Sequence, residues 1–153
     1  MGKENWIWMP HAGHLCVGHD CRFHLATYVN GYIVSTVGEY WPDIEIRRSM
    51  AETEMRFHPE KKIDLTLRGD YFDHEYMKVF GFVDIGLNRT YETMVFKAKK
   101  RDDEYQCCMW KVTGDCLDME GYGNPSDAYE GHMELCEKWE EEGKSWKYEP
   151  ESE

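Results

Sequence analysis

Residues 21–40 read CRFHLATYVNGYIVSTVGEY, and this stretch decides the fold. Two runs rich in β-branched and aromatic residues, 23–29 and 32–40, flank the dipeptide Asn30-Gly31. Asn-Gly is strongly preferred at the two positive-φ positions of a type I′ turn, which joins antiparallel strands. The sequence therefore predicts a β-hairpin in the N-terminal part of the chain.

Two helices are predicted on the C-terminal side of the hairpin. After Trp41-Pro42 ends the second strand, Asp43 can cap a helix over about residues 44–56. The clearer helix comes last, with Asn124 as N-cap and Pro125 at the first helical position, and it extends to about residue 142. Residues three and four apart on this helix form one face, which predicts packing against a sheet. They are Ala128, His132, Leu135, Cys136 and Trp139.

The middle of the chain predicts a mixture of short elements. Apolar residues alternate over 62–67, which is typical of a half-buried strand, and a short helix follows between Asp73 and Gly81. Further short strands are predicted at 82–85, 91–97, 108–112 and 116–119. A chain of 153 residues corresponds to about one domain. We expect a single compact α+β domain at residues 1–143, with a mixed or largely antiparallel sheet, the N-terminal β-hairpin and a packed C-terminal helix. An acidic flexible tail is expected at 144–153.

The chain is acidic, and its acidic residues are concentrated in the last third. The net charge is −12, and residues 101–153 contain 16 acidic but only 5 basic side chains. Nucleic-acid-binding proteins need clustered Lys and Arg to neutralise phosphates, so direct nucleic-acid binding is not expected. The last helix carries Glu134, Glu137, Glu140 and Glu141. These residues either serve solubility or form an acidic face that binds a protein partner with a basic surface.

Cysteine and histidine are concentrated in two places, which predicts a metal site. The loop over residues 11–21 contains His14, Cys16 and Cys21, and the last helix places His132 and Cys136 one turn apart. Two loop ligands and an i, i+4 pair on a helix can bind zinc tetrahedrally. We predict a structural zinc bound by Cys16, Cys21, His132 and Cys136, with His14 as a substitute ligand. The alternative is that Cys136 is a buried thiol and that His132 is a hydrogen-bonded core histidine.

The cysteine usage predicts a reducing compartment. Six cysteines include the adjacent pair Cys107 and Cys108, and the N-terminal residues show no signal-peptide pattern. No apolar run approaches the length of about 18 residues that a transmembrane helix needs. We therefore expect a cytoplasmic protein that does not interact with a membrane.

The segment 62–97, KIDLTLRGDYFDHEYMKVFGFVDIGLNRTYETMVFK, resembles the C-terminal part of GNAT acyltransferases. The resemblance implies that Tyr76 occupies the position where this family often has its general acid. The glycine-containing acyl-CoA loop of the family should precede this segment, but residues 41–50 read WPDIEIRRSM, without glycine. The implied enzyme would be a degenerate acyltransferase.

The strings WMPHAGH, CRFHLATYVNGYIVSTVGEY, YETMVF and GHMELCEKW resemble small uncharacterised proteins of phages and prophages. This resemblance implies an accessory protein that acts in the cytoplasm of a bacterial host cell by binding a host or defence protein.

Three functional hypotheses follow from the sequence. The first is a metal-stabilised accessory protein that binds the basic surface of a host or defence protein. The second is an enzyme, either a zinc-dependent hydrolase or a degenerate GNAT-like acyltransferase. The third is a small-ligand-binding protein that uses the surplus of aromatic residues, which includes six tryptophans.

Overall fold

The structure, a computed structural model, describes residues 5–10, 13, 20–70, 72–85, 89–100 and 110–145, and only the backbone of residues 143–145. In chain order the elements are β1 (Ile7–Trp8), β2 (Cys21–Val29), β3 (Tyr32–Tyr40), α1 (Ile44–Phe57), α2 (His74–Phe80), β4 (Tyr91–Lys100), β5 (Trp110–Tyr122) and α3 (Pro125–Ser145). The five strands and three helices of the described residues form one α+β domain, which confirms the predicted fold class.

The strands form one antiparallel sheet whose spatial order, β1-β2-β3-β4-β5, is the order of the chain. The predicted hairpin is β2–β3, in which Val29 pairs with Tyr32. Its turn residues have positive φ, 46° at Asn30 and 98° at Gly31, as a type I′ turn requires. Of the two predicted sheet types, the described strands support the antiparallel one.

Helix α3 packs on one face of this sheet, as its apolar face predicts. Asn124 caps it, because the Asn124 side-chain oxygen accepts a hydrogen bond from the Asp127 backbone N–H at 2.8 Å. Leu135 and Cys136 of the helix form a buried cluster with Trp6, Val29, Tyr32, Val34 and Val95. The helix continues to Ser145, so the first two residues of the predicted tail are helical, and residues 146–153 lie outside the described residues.

The opposite face of the sheet is also buried at its centre. Ile33, Ser35 and Val37 of β3 are fully buried, and they alternate with Val34 and Thr36, which face α3. Gly13 lies on this second face, where its backbone N–H donates to Ser35 Oγ at 2.8 Å. Burial on both faces explains why the sequence of β3 is nearly continuous in small and apolar residues.

Helices α1 and α2 form a smaller cluster beside the sheet. Its buried residues are Ala51, Tyr76 and Phe80. The strand predicted at residues 62–67 is wrong, because the chain forms a turn there: the Asp64 carboxylate accepts from the Thr66 N–H at 2.9 Å. Ile63, Leu65 and Leu67 alternate in sequence but pack against this helical cluster.

Gly38 of β3 is required by close packing, which gives a testable prediction. A Cβ atom at this position would overlap the buried Tyr91 ring, which packs edge-on against Phe23. Gly38→Ala is expected to destabilise the protein by about 1–3 kcal/mol in urea denaturation. The matched control is Gly123→Ala, where a Cβ meets nothing within 4 Å and the loss should stay within about 0.5 kcal/mol. Equal losses in the two variants would show that the Tyr91 contact is not the reason for glycine at position 38.

Candidate functional site

The structure describes three of the five predicted zinc ligands, and it does not bring these three together. Cys16 and His14 lie outside the described residues. Cys21 is the buried first residue of β2, whereas His132 and Cys136 lie on the buried face of α3. Within the described ranges, no group of three or more His, Cys, Asp or Glu side chains is placed to hold a metal ion.

Both ring nitrogens of His132 are bound by threonine hydroxyls. Nε2 lies 2.8 Å from Thr27 Oγ1, and Nδ1 lies 2.6 Å from Thr36 Oγ1. Thr36 Oγ1 is in turn 2.6 Å from Thr93 Oγ1, and all four side chains are fully buried. Burial lowers the pKa of His132 to about 4, so the ring is neutral at pH 7, with one nitrogen donating and the other accepting. We call these four residues the threonine–histidine network.

Cys21 is too far from His132 to share a metal with it. Thr27, which bonds the ring, stands six residues after Cys21 on the same extended strand, a separation of about 20 Å at the usual rise per residue. A zinc–ligand bond is about 2 Å long. The structure therefore does not bring Cys21 together with His132 and Cys136: these two residues lie on α3, and Cys21 lies at the far end of β2.

The position of Gly13 is relevant to the predicted zinc site, which would join the N-terminal loop to α3. It bonds Ser35, whereas His132 bonds Thr36, and consecutive residues of a strand point to opposite faces of the sheet. Gly13 and His132 therefore lie on opposite faces. Zinc binding as such stays a prediction, because Cys16 and His14 lie outside the described residues.

The two buried thiols are not activated for nucleophilic chemistry. Burial raises the pKa of Cys21 to about 11 and that of Cys136 to about 12. A cysteine nucleophile needs the opposite shift, toward a thiolate at neutral pH.

Tyr76, the residue that the GNAT resemblance points to, is only 3% exposed. Its hydroxyl accepts a hydrogen bond from Arg47 Nη1 at 3.1 Å, and its ring lies against Trp41 and Phe80. The acyltransferase resemblance stays a prediction.

A groove between β5 and α3 brings acidic side chains from two elements together. It has a volume of about 290 Å³, and its walls include Asp118 and Glu120 of β5, and Glu134 and Lys138 of α3. Asp118 faces α3, because it accepts a hydrogen bond from Lys138 Nζ at 2.8 Å. Glu120 is two residues further along the strand, so it faces α3 as well. Met119 is also at the groove and is 60% exposed. We call this feature the acidic groove.

The exposed side of α3 extends the negative charge of the groove. Glu130, Glu134 and Glu137 are all exposed and follow one another at intervals of four and three residues, which places them in one stripe along the helix. Like charges at these intervals destabilise a helix by a few tenths of a kcal/mol per pair. Glu140 does not belong to this surface, because it is buried and accepts from Trp6 Nε1 at 2.8 Å.

Asp118 is the groove carboxylate that accepts hydrogen bonds from α3. Burial raises its pKa, but hydrogen bonds from Lys138 Nζ at 2.8 Å and Trp139 Nε1 at 3.0 Å outweigh burial and bring the pKa below its usual value. Asp118 therefore remains ionised at neutral pH. Glu120 accepts a hydrogen bond from the Tyr122 hydroxyl at 3.0 Å.

The contribution of β5 to this site was missed by the sequence analysis. Two short strands were predicted at 108–112 and 116–119, whereas Trp110–Tyr122 is one strand with register shifts opposite Val95, Phe96 and Lys97. These bulges, near Gly114 with φ 45°, hide the alternation that places Asp118 and Glu120 on one face. In the sequence, the two carboxylates of the site are indicated by the alternation of Asp118, Met119 and Glu120.

No helix in the described part of the chain is both long and apolar enough to cross a membrane. Comparisons of the chain with protein family models, with curated proteins and with solved structures give no match.

Proposed function

We propose that this protein is an accessory protein that binds the basic surface of a protein partner through the acidic groove and the stripe of Glu130, Glu134 and Glu137. The observation that carries the proposal is the groove itself, in which carboxylates from β5 and α3 converge on one recess. An acidic surface that served solubility alone would not need carboxylates from two different elements around one recess.

The groove has the chemistry to accept a lysine or arginine side chain. Glu120 and Glu134 offer carboxylate oxygens, which form charge-assisted hydrogen bonds with guanidinium and ammonium groups. A basic partner would thus gain charge pairing with carboxylates of two elements at one place.

The same surface disfavours nucleic acids, because phosphates would meet like charges. The resemblance to phage and prophage proteins supports a host or defence protein as the partner, and the bacterial cytoplasm as the place of action. A basic surface on such a partner, including one that normally binds nucleic acid, has the charge that complements the acidic groove.

The proposal predicts that charge reversal at the stripe removes partner binding without unfolding the protein. The test variant is Glu130→Lys/Glu134→Lys/Glu137→Lys, and the control is Glu52→Lys/Glu60→Lys/Glu75→Lys, which changes the net charge equally at exposed residues outside the groove. Proteins captured from bacterial lysate on the immobilised wild type are purified and titrated calorimetrically against the wild type and both variants. The stripe variant should bind at least about tenfold more weakly, and the control should change affinity by less than about threefold.

Circular dichroism and thermal melting establish that both variants are folded. Equal weakening by the two variants would show that net charge alone drives the association. Unchanged binding by the stripe variant would remove the acidic groove as the partner site.

A further inference from the structure

Strand β5 lies at an edge of the sheet. Among the described strands its only neighbour is β4, because the spatial order of the sheet ends with β4-β5. On the other side of β5, the N–H and C=O groups of alternate residues therefore have no partner among these strands. With 13 residues, β5 is also the longest of them. Long strand edges of this kind are where a second chain adds a strand to a sheet.

The regular part of this edge is its C-terminal half. In the first half the pairing with β4 shifts twice between Val95 and Lys97. Such bulges blunt a strand edge, because they interrupt the row of hydrogen-bonding groups. Residues 118–122, in contrast, pair without a shift with residues 91–95. Five residues in register are close to the usual strand length of about five to six, so this half can pair with an added strand.

The regular half of β5 has two faces of different chemistry. Glu120 pairs with Thr93 of the threonine–histidine network, so it points to the α3 side of the sheet, where Glu134 also lines the acidic groove. The Met119 side chain alternates with Glu120 and points to the opposite side, next to its pairing partner Met94. Met119 is exposed and Met94 is half-buried. The edge thus has carboxylates on one face and an apolar surface on the other.

The charges of this edge disfavour a second copy of the chain and favour a basic segment. If two β5 edges paired around Met119, Asp118 of one copy would lie opposite Glu120 of the other. Like charges directly opposite each other destabilise a strand pair. Lys138 already pairs with Asp118, which leaves Glu120 and Glu134 of the groove for a basic side chain.

We propose that the partner adds an extended segment to β5 along residues 118–122, and that basic and apolar residues alternate in this segment. Its basic side chains face Glu120 and Glu134, and its apolar side chains pack on Met119. Main-chain hydrogen bonds give the affinity, and the two faces select the sequence. The inference rests on the proposed function, because it describes how a basic partner binds at the acidic groove.

The test is a calorimetric titration of the full chain with a capped seven-residue peptide in which lysine and valine alternate, with lysine at both ends. Its control has the same composition and net charge, but its three valines are consecutive. The alternating peptide should bind saturably and at least about fivefold more tightly than the control. Glu120→Lys should weaken its binding by about tenfold. Glu52→Lys, the same charge change at an exposed residue of α1, should weaken it by less than about twofold.

Backbone methylation of the peptide separates strand addition from charge attraction. In an added strand the N–H groups of alternate residues point to β5, so they belong either to the lysines or to the valines. N-methylation of one set should abolish saturable binding, whereas N-methylation of the other set should leave the affinity within about threefold. Equal effects of the two methylations, or equal affinities of the alternating and control peptides, would overturn strand addition.

The outcomes also separate this inference from the proposed function. If the captured partner loses affinity for the stripe variant while the peptides show neither preference, the partner binds the acidic groove without adding a strand, and only this inference fails. Asymmetric effects of methylation, with unchanged partner binding by the stripe variant, would keep the edge as a binding site and remove the proposed function. A dimer of the wild type that the alternating peptide dissociates would assign the edge to a second copy and overturn the inference.

Discussion

Replacing His132 by alanine is expected to lower the free energy of unfolding by about 3–5 kcal/mol. The imidazole is fully buried between α3 and the sheet, and its removal leaves a cavity in the centre of the domain. The hydroxyls of Thr27 and Thr36 lose their ring partners at the same time. A cavity and the loss of two buried hydrogen bonds each destabilise the folded state, so the two losses combine. Urea denaturation followed by tryptophan fluorescence measures the change.

His132→Gln is the matched control, because glutamine retains one donor group and one acceptor group of similar reach. Its loss of stability should be less than half that of His132→Ala. Equal losses would show that the hydrogen bonds to Thr27 and Thr36 do not matter to stability.

A chelator such as EDTA tests the zinc hypothesis in the same experiment. If the chelator destabilises the wild type but not His132→Ala, then His132 is a metal ligand and the threonine–histidine network is not its native role.

The β2–β3 hairpin and α3 were predictable because their signals are local. Asn30-Gly31 determines the turn between the two strands, and Asn124-Pro125 determines where the last helix begins. Helical spacing also placed His132 on the buried face of α3. It could not reveal the partners of His132, because Thr27, Thr36 and Thr93 come from three strands. The register that brings these strands together depends on the whole sheet.

The failures of sequence prediction lie where local pattern and tertiary packing conflict. Residues 62–67 alternate like a strand, yet no sheet edge is paired with them, and Asp64 stabilises a turn through its side chain. Arg47 gave no signal of burial, because arginine in a helix is usually exposed. Only the stacking of Arg47 on Trp41, together with the hydrogen bond to Tyr76, shows that the side chain turns inward.

The threonine–histidine network should also make the protein sensitive to acid. Burial lowers the pKa of His132 to about 4 in the folded protein, from the ordinary value of 6.5 that the exposed side chain has in the unfolded chain. Between these values the unfolded chain binds a proton that the folded protein does not, so stability falls as the pH falls. The contribution is fully present above pH 6.5 and is lost progressively down to pH 4. The difference of pKa corresponds to a loss of about 3 kcal/mol.

The measurement is a series of urea denaturation curves for the wild type and His132→Gln between pH 7.5 and pH 4. Carboxylates such as Asp118 titrate in both proteins, so the difference between the two curves isolates position 132. The wild type should lose about 3 kcal/mol relative to the variant across this range, most of it below pH 6. Parallel curves for the two proteins would show that His132 titrates normally in the folded state. That result would require solvent or another charged group at His132, and it would contradict a ring held neutral between Thr27 and Thr36.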